Sequence, residues 1–512
     1  MFIENLRNTL NDEKQLTENG ALGYKTSGHK LVDLNFRAST LRYEEDEKIK
    51  SAFLDAFAQE PEMAVKWLFF ARDIREGMGE RRVFRVIIQH LCNSYPDQMC
   101  EILEYIPEYG RWDDLIYIIK RRVPDKIFNK VVDIIVNQLR EDMENALNGK
   151  NISLLAKWMP SEKSHNKEAR NVAYKAMSFL GLTPRNYRKM ISGLRKTLDV
   201  VERKMSANEW SFINYSSVPS NANLKYRNAF NRHDHERYND FLTKVLTKEV
   251  KMNSSTLYPH EIVKKYRSDD MWGISYFPEF EPDLEALWKS LPRDNFLKDT
   301  IVVSDGSGSM YTTAYGVQPI DVAQALAIYF SETCQGEFKD KYITFSQTPQ
   351  LVDFGKAENL LDKLKIIDKY NEVANTDVEA VFDLILKVAT DAHMAQEEIP
   401  KNILIISDME FDMATHTSVF CDEPPRVDKT LYDSISEKYH NAGYEMPKLI
   451  FWNVLSRTNT IPLKENDLGV ALLSGYSPAI ADMIMSGRLD PYSILIEKLN
   501  SERYKDIKFK LL

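Results

Sequence analysis

Ile301-Val-Val-Ser-Asp305-Gly-Ser307-Gly-Ser309-Met310 is the stretch that decides the fold of the C-terminal half. A short apolar run closes on a carboxylate, and two hydroxyls follow at a spacing of two on a glycine-containing turn. Apolar runs of this length bounded by turn residues read as strands buried on both faces. One carboxylate and two hydroxyls on a tight turn converge hard oxygen atoms on one point. That suits Mg²⁺, which takes octahedral oxygen ligands and keeps several waters. Two further polar loops occupy equivalent places: Asn375-Thr376-Asp377 precedes an expected helix, and Asp408 ends the apolar run Asn402-Ile-Leu-Ile-Ile-Ser407. The competing reading is that these Ser and Asp side chains only cap helices.

Outward from this motif, apolar strand candidates fall at 300–304, 342–346, 403–407, 449–455 and 470–474. Helical patterns at 321–334, 378–392 and 429–442 lie between them. Alternation of this kind predicts a doubly wound parallel sheet with helices on both faces, and ligands then bind at the carboxyl ends of the strands. The first half reads instead as helix after helix, over 45–59, 62–74, 81–92, 98–106, 113–122 and 126–147. Pro61, Gly77, Gly79, Pro96, Pro107, Gly110 and Pro124 stand in the breaks. Helices of this length on short loops suggest a stacked array of the HEAT type, without a clean sequence period. The fold class expected is thus α + α/β. Its parts are an N-terminal arm over 1–40 packing on the array, a helical domain over 41–267, an acidic, aromatic linker over 268–298, the α/β domain over 299–485 and a C-terminal helix or tail over 486–512.

Charge is distributed unevenly. Of the 512 residues, 161–267 hold 21 Lys and Arg against 10 Asp and Glu, net +11, which leaves −20 for the rest of a chain of net charge −9. A basic block in an acidic protein suits a polyanion, because phosphate contacts release condensed counterions; it also suits a merely solvated surface. From Tyr187 the apolar residues Ile191, Leu194, Leu198, Val201 and Met205 draw one stripe at helical spacing, which predicts a single amphipathic helix. Lys189, Lys196 and Arg203 would form a column on its opposite face, with Arg188 and Arg195 beside it. Further on, Lys225, Tyr226, Arg227, Arg232 and Arg237 mix cations with an aromatic, as RNA contacts do. Tyr226 and Trp210 read as core residues or as stacking platforms, and His233 and His235 as solvated.

Other motifs carry two readings. Arg72, Arg75, Gly77, Gly79, Arg81 and Arg82 would grip phosphates or else pair with Glu76, Glu80, Asp113 and Asp114 in an inter-helix turn. Gly110-Arg-Trp-Asp-Asp reads as structural, with Trp112 buried and Asp113 capping the next helix. Cys92, Cys100, Cys334 and Cys421 are spread without any CxxC and are expected to be reduced thiols. No export signal or membrane-length apolar run is present in the sequence given, and the expected location is cytoplasmic.

Residues 299–480 resemble a von Willebrand factor A (VWA) domain. The resemblance implies a metal-ion-dependent adhesion site formed by Asp305, Ser307 and Ser309 in the first loop, Thr376 in the second and Asp408 in the third, holding Mg²⁺ or Mn²⁺. The whole chain resembles the Ro autoantigen, or TROVE, type, and more closely its full-length cousins known from plants, fungi, large viruses and phages. The stretches that carry this are Ala71-Arg-Asp-Ile-Arg-Glu-Gly-Met-Gly-Glu-Arg-Arg82, Tyr109-Gly-Arg-Trp-Asp-Asp-Leu115, Val218-Pro-Ser-Asn-Ala222, Leu257-Tyr-Pro-His-Glu-Ile262 and the run from Gly469.

The resemblance implies an array or ring of HEAT-like helices in an RNA-binding ribonucleoprotein component that holds structured or misfolded non-coding RNA, or single-stranded RNA, on its basic surface. The alternative is an assembly scaffold or adaptor whose metal captures an acidic side chain of a protein partner. No Walker motif, nucleophile elbow or H-E-x-x-H is present in the sequence, so binding and not catalysis is expected.

Overall fold

The computed structural model describes residues 14–17, 22–269, 275–276, 279–293, 297–312, 317–345, 349–370, 378–410, 431–461, 470–485 and 490–511. They form two compact units, one from residues 1–44 and 257–498 and the other from 45–256 and 499–512.

The second unit is helical. Its principal helices are α1 (Asp46–Gln59), α2 (Pro61–Arg72), α3 (Arg81–Ser94), α4 (Trp112–Ile119), α5 (Asp125–Leu147), α6 (Lys167–Leu180), α7 (Pro184–Thr197), α8 (Val201–Ser206), α9 (Ser220–His233) and α10 (His235–Leu246). Successive helices pack on each other: α1 on α2 and α3, α3 on α4, α4 on α5, and α5 on α6 and α7. Proline at the first turn of α2 and α7 pre-sets the helical φ without losing a hydrogen bond, and Thr183 caps α7 through the Asn186 amide.

The long helix expected from Tyr187 to Met205 is two helices. Asp199 adopts φ +45°, in the left-handed region, so α7 ends at Thr197 and α8 starts afresh at Val201. A wheel drawn at 100° per residue therefore does not carry Lys189 and Lys196 into register with Arg203.

The first unit holds a six-stranded sheet: β1 (Thr300–Asp305), β2 (Lys341–Phe345), β3 (Leu351–Asp353), β4 (Asn402–Ser407), β5 (Lys448–Asn453) and β6 (Val470–Ser474), in the order β6-β5-β4-β1-β2-β3. All neighbours are parallel except β2 and β3, an antiparallel edge pair. Side chains alternate between faces. On one face Ile301, Val303, Ile403, Ile405, Leu449 and Phe451 share a core with Phe382 and Tyr439. On the other, Trp452 meets Phe330 of the helix Pro319–Thr333 with ring centres 5.0 Å apart. Helices thus cover both faces, and β1 and β4, both central, end side by side.

The N-terminal segment, expected as an arm on the helical array, packs instead with the sheet. Its hairpin, Lys14–Leu16 with Leu22–Tyr24, extends to a main-chain pairing of Tyr24 with Ile461. Val32 and Phe36 enter the sheet's own core, and Asn453 Nδ2 donates to Phe36 O at 2.9 Å. Burial of apolar side chains, not the polar look of 1–40, decides where this segment goes.

Candidate metal centre and basic groove

Parallel pairing of β1 with β4 sets Ser304 against Ile406, so Asp305 and Asp408 leave the sheet at adjacent strand ends. Both carboxylates are shielded from solvent, as is Ser307, while Ser309 is half-buried. The Ser307 amide donates to Asp305 Oδ1 at 2.8 Å, and the Ser307 and Ser309 hydroxyls lie 2.9 Å apart. Ser407 donates its hydroxyl to Asp305 Oδ2 at 2.6 Å, and the Glu410 amide donates to Asp408 Oδ1 at 3.2 Å. Asp408 Oδ2 is buried and accepts no hydrogen bond among the described residues. Burial first, and then the Asp305 charge, push the Asp408 carboxyl up to about 8. Four of the expected ligands, Asp305, Ser307, Ser309 and Asp408, therefore sit on two neighbouring loops; Thr376 and Cys421 lie outside the described residues.

This donor set fits a small hard cation. Two buried acids repel each other, Asp408 Oδ2 accepts no hydrogen bond among the described residues and has Arg457 Nη2 3.5 Å away, and two hydroxyls stand beside them. It is not a His/Cys/Asp/Glu cluster: among the described residues no group of three or more such side chains is placed to hold a metal. Sequence reasoning overlooked Ser407, Glu410 and Arg457. The signal for Ser407 was present as a repeated Ser-Asp step, Ser304-Asp305 and Ser407-Asp408, at the ends of two adjacent strands.

The basic residues divide. Arg195, Lys196 and Arg203 line one groove of about 500 Å³ with Lys157, Ser192, Gly193, Leu198 and Val200. The Arg195 guanidinium is fixed by the carbonyls of Ala156 and Met159, both at 2.8 Å, so its role is in part structural. Arg188 pairs with the buried Glu162. Lys189 is exposed on α7 but does not line the groove. On α9, Lys225 and Arg232 are exposed, and Lys225 Nζ lies 4.8 Å over the Tyr226 ring. Arg227, expected at an RNA surface, is buried, because it falls on the stripe Ser220, Asn223, Leu224, Arg227 and Phe230 that α9 buries. Arg237 is bound to Asp234 and to the Trp210 and Ile213 carbonyls. Trp210 is half-buried, with His233 stacked on it at 4.4 Å.

The Arg-rich Gly loop is a structural box. Arg72 and Arg85 both bind Asp114, Arg81 and Arg85 bind Asp113, and Arg82 binds Asp46. Gly77 is required there, since a Cβ would stand 2.0 Å from the Phe70 carbonyl oxygen. In the neighbouring motif Trp112 is half-buried, and Asp114, not Asp113, takes the Arg111 amide at the start of α4. Cys92, Cys100 and Cys334 are free thiols. No helix among the described residues is long and apolar enough to cross a membrane.

Two family models match the chain: a domain of unknown function, DUF2828, over 17–129 and 165–291, and another, DUF7788, over 299–506. Among solved structures, the Ro (RSR) protein of Deinococcus radiodurans aligns with a TM-score of 0.33 and 11% identity, over 85% of this chain and 90% of that one. The uncharacterized protein L728 of Acanthamoeba polyphaga mimivirus is 30% identical over 520 aligned positions, covering 94% of this chain and 86% of its own. This chain therefore belongs to the same family as mimivirus L728.

Proposed function

We propose that this protein is an RNA-binding component of a cytoplasmic ribonucleoprotein, and that the groove on its helical unit holds the RNA. The observation that carries the reading is the gathering of Lys157, Arg195, Lys196 and Arg203 around one open groove, the last three of them inside the block 161–267 of net charge +11. Cations in such a groove bind phosphates without reading sequence, so affinity falls steeply with salt. The test is a gel-shift titration of structured and single-stranded RNA at several salt concentrations. Lys196→Glu with Arg203→Glu should weaken binding at least tenfold while the circular dichroism spectrum is unchanged. Salt-independent binding, or no effect of the pair, refutes it.

A second reading is favoured by Asp408 Oδ2, a buried carboxylate oxygen that accepts no hydrogen bond among the described residues. Asp305, Ser307, Ser309 and Asp408 would hold Mg²⁺ or Mn²⁺, and the ion would supply a Lewis-acid position that an acidic side chain of a protein partner can occupy. In that reading Asp305→Ala abolishes partner capture and the groove variants leave it intact. Both readings assign binding and no catalytic step.

A further inference from the structure

The loop 456–458 and the Asp408 loop are tied together by one buried acid. Glu410, two residues after Asp408, accepts from the Arg457 amide at 2.8 Å, the Thr458 amide at 2.9 Å and the Ser456 hydroxyl at 3.2 Å. This clamp fixes the backbone of Arg457 and sends its side chain over the strand ends. One guanidinium nitrogen, Nη2, lies 3.5 Å from Asp408 Oδ2, the buried oxygen that accepts no hydrogen bond among the described residues. The other, Nη1, donates to Thr312 Oγ1 at 3.4 Å, three residues beyond Ser309. The arginine thus spans the first and third loops of the centre. Its side chain keeps 29% of its exposure, against 1% for Asp408, so it has solvent to move into.

We propose that Arg457 is a tethered counter-cation of the Asp305–Asp408 centre, which a divalent ion must displace in order to bind. This rests on the metal reading of the centre. The guanidinium sits 3.5 Å from Asp408 Oδ2, and it cannot lose its proton to make way for another cation. Arginine and dication therefore compete for the same carboxylate oxygen, and the competition ends by the side chain swinging outward. Arg457 sets the threshold ion concentration at which the centre loads. It also keeps the metal-free loops together.

The experiment titrates Mn²⁺ into the full chain and follows free Mn²⁺ by electron paramagnetic resonance, with melting temperatures recorded in EDTA. Arg457→Gln should bind Mn²⁺ about tenfold more tightly than wild type, roughly 1.4 kcal/mol, yet melt lower in EDTA. Arg457→Lys, which keeps the charge, should stay near wild type in both. Independently of any variant, Mn²⁺ should raise the reactivity of Arg457 toward phenylglyoxal, read by mass spectrometry. If neither wild type nor Arg457→Gln binds Mn²⁺, the metal reading fails and takes the inference with it. If Asp305→Ala abolishes Mn²⁺ binding but Arg457→Gln binds equally or more weakly, the inference alone is overturned. Unchanged Arg457 reactivity on loading overturns it as well.

Discussion

Arg72 Nη2 and Asp114 Oδ2 lie 2.6 Å apart with both side chains almost wholly shielded from water. Burial works against the Asp114 charge, but Arg72 and Arg85 outweigh it and hold the carboxyl below its usual range. Asp114→Asn leaves the buried Arg72 without its counter-charge. It should destabilise the protein by about 3–5 kcal/mol, measured by urea unfolding. A loss under about 1 kcal/mol would show the box to be dispensable.

Neighbouring groove cations should separate by role. Arg195→Ala removes two carbonyl contacts and should lower the melting temperature; Lys196→Ala should not. Lys196→Ala should instead flatten the slope of log affinity against log salt by about one. Equal effects on stability and slope would contradict the division.

His260 is buried, and that burial, followed by the charges of Arg42 and Lys264, pulls its pKa down to about 3. The unfolded chain therefore binds a proton below pH 6.5 that the folded one refuses. The neutral ring's contribution is complete above that pH and is lost as pH falls toward 3, at up to about 1.4 kcal/mol per pH unit. His260→Gln should flatten the acid limb of a stability–pH profile. An unchanged limb would place the acid sensitivity elsewhere.

Gly77→Ala should destabilise by more than about 2 kcal/mol, because the added carbon meets backbone and not a movable side chain. Thermal unfolding decides it, and a neutral result would mean the turn relaxes freely.

Much of this was legible in the sequence, for identifiable reasons. Central strands such as Ile301-Val-Val and Ile403-Leu-Ile-Ile are apolar on both faces, so an unbroken run suffices to place them. The edge strand Leu351–Asp353 escaped, since it is three residues long with alternate exposure and so offers almost no pattern. The break at Asp199 was invisible because the apolar stripe continues across it, and periodicity does not register a single left-handed residue. Arg188 and Arg227 read as free cations because sequence gives charge but not burial; Glu162, which neutralises Arg188, lies 26 positions away. Arg457 belongs to no motif, and only the fold brings it to Asp408.

The two units are interleaved along the chain, since 499–512 belong with 45–256. Tyr504 and Phe509 pack on Phe70, Phe57 and Tyr95, and Arg503 binds Asp73 at 2.8 Å. During synthesis residues 45–256 of the helical unit are translated before 257–498 of the sheet unit, and the aromatic plugs Tyr504 and Phe509 only after them. A nascent helical unit therefore presents an unfilled apolar socket throughout translation of the second half, and that interval is when the protein has most need of a chaperone.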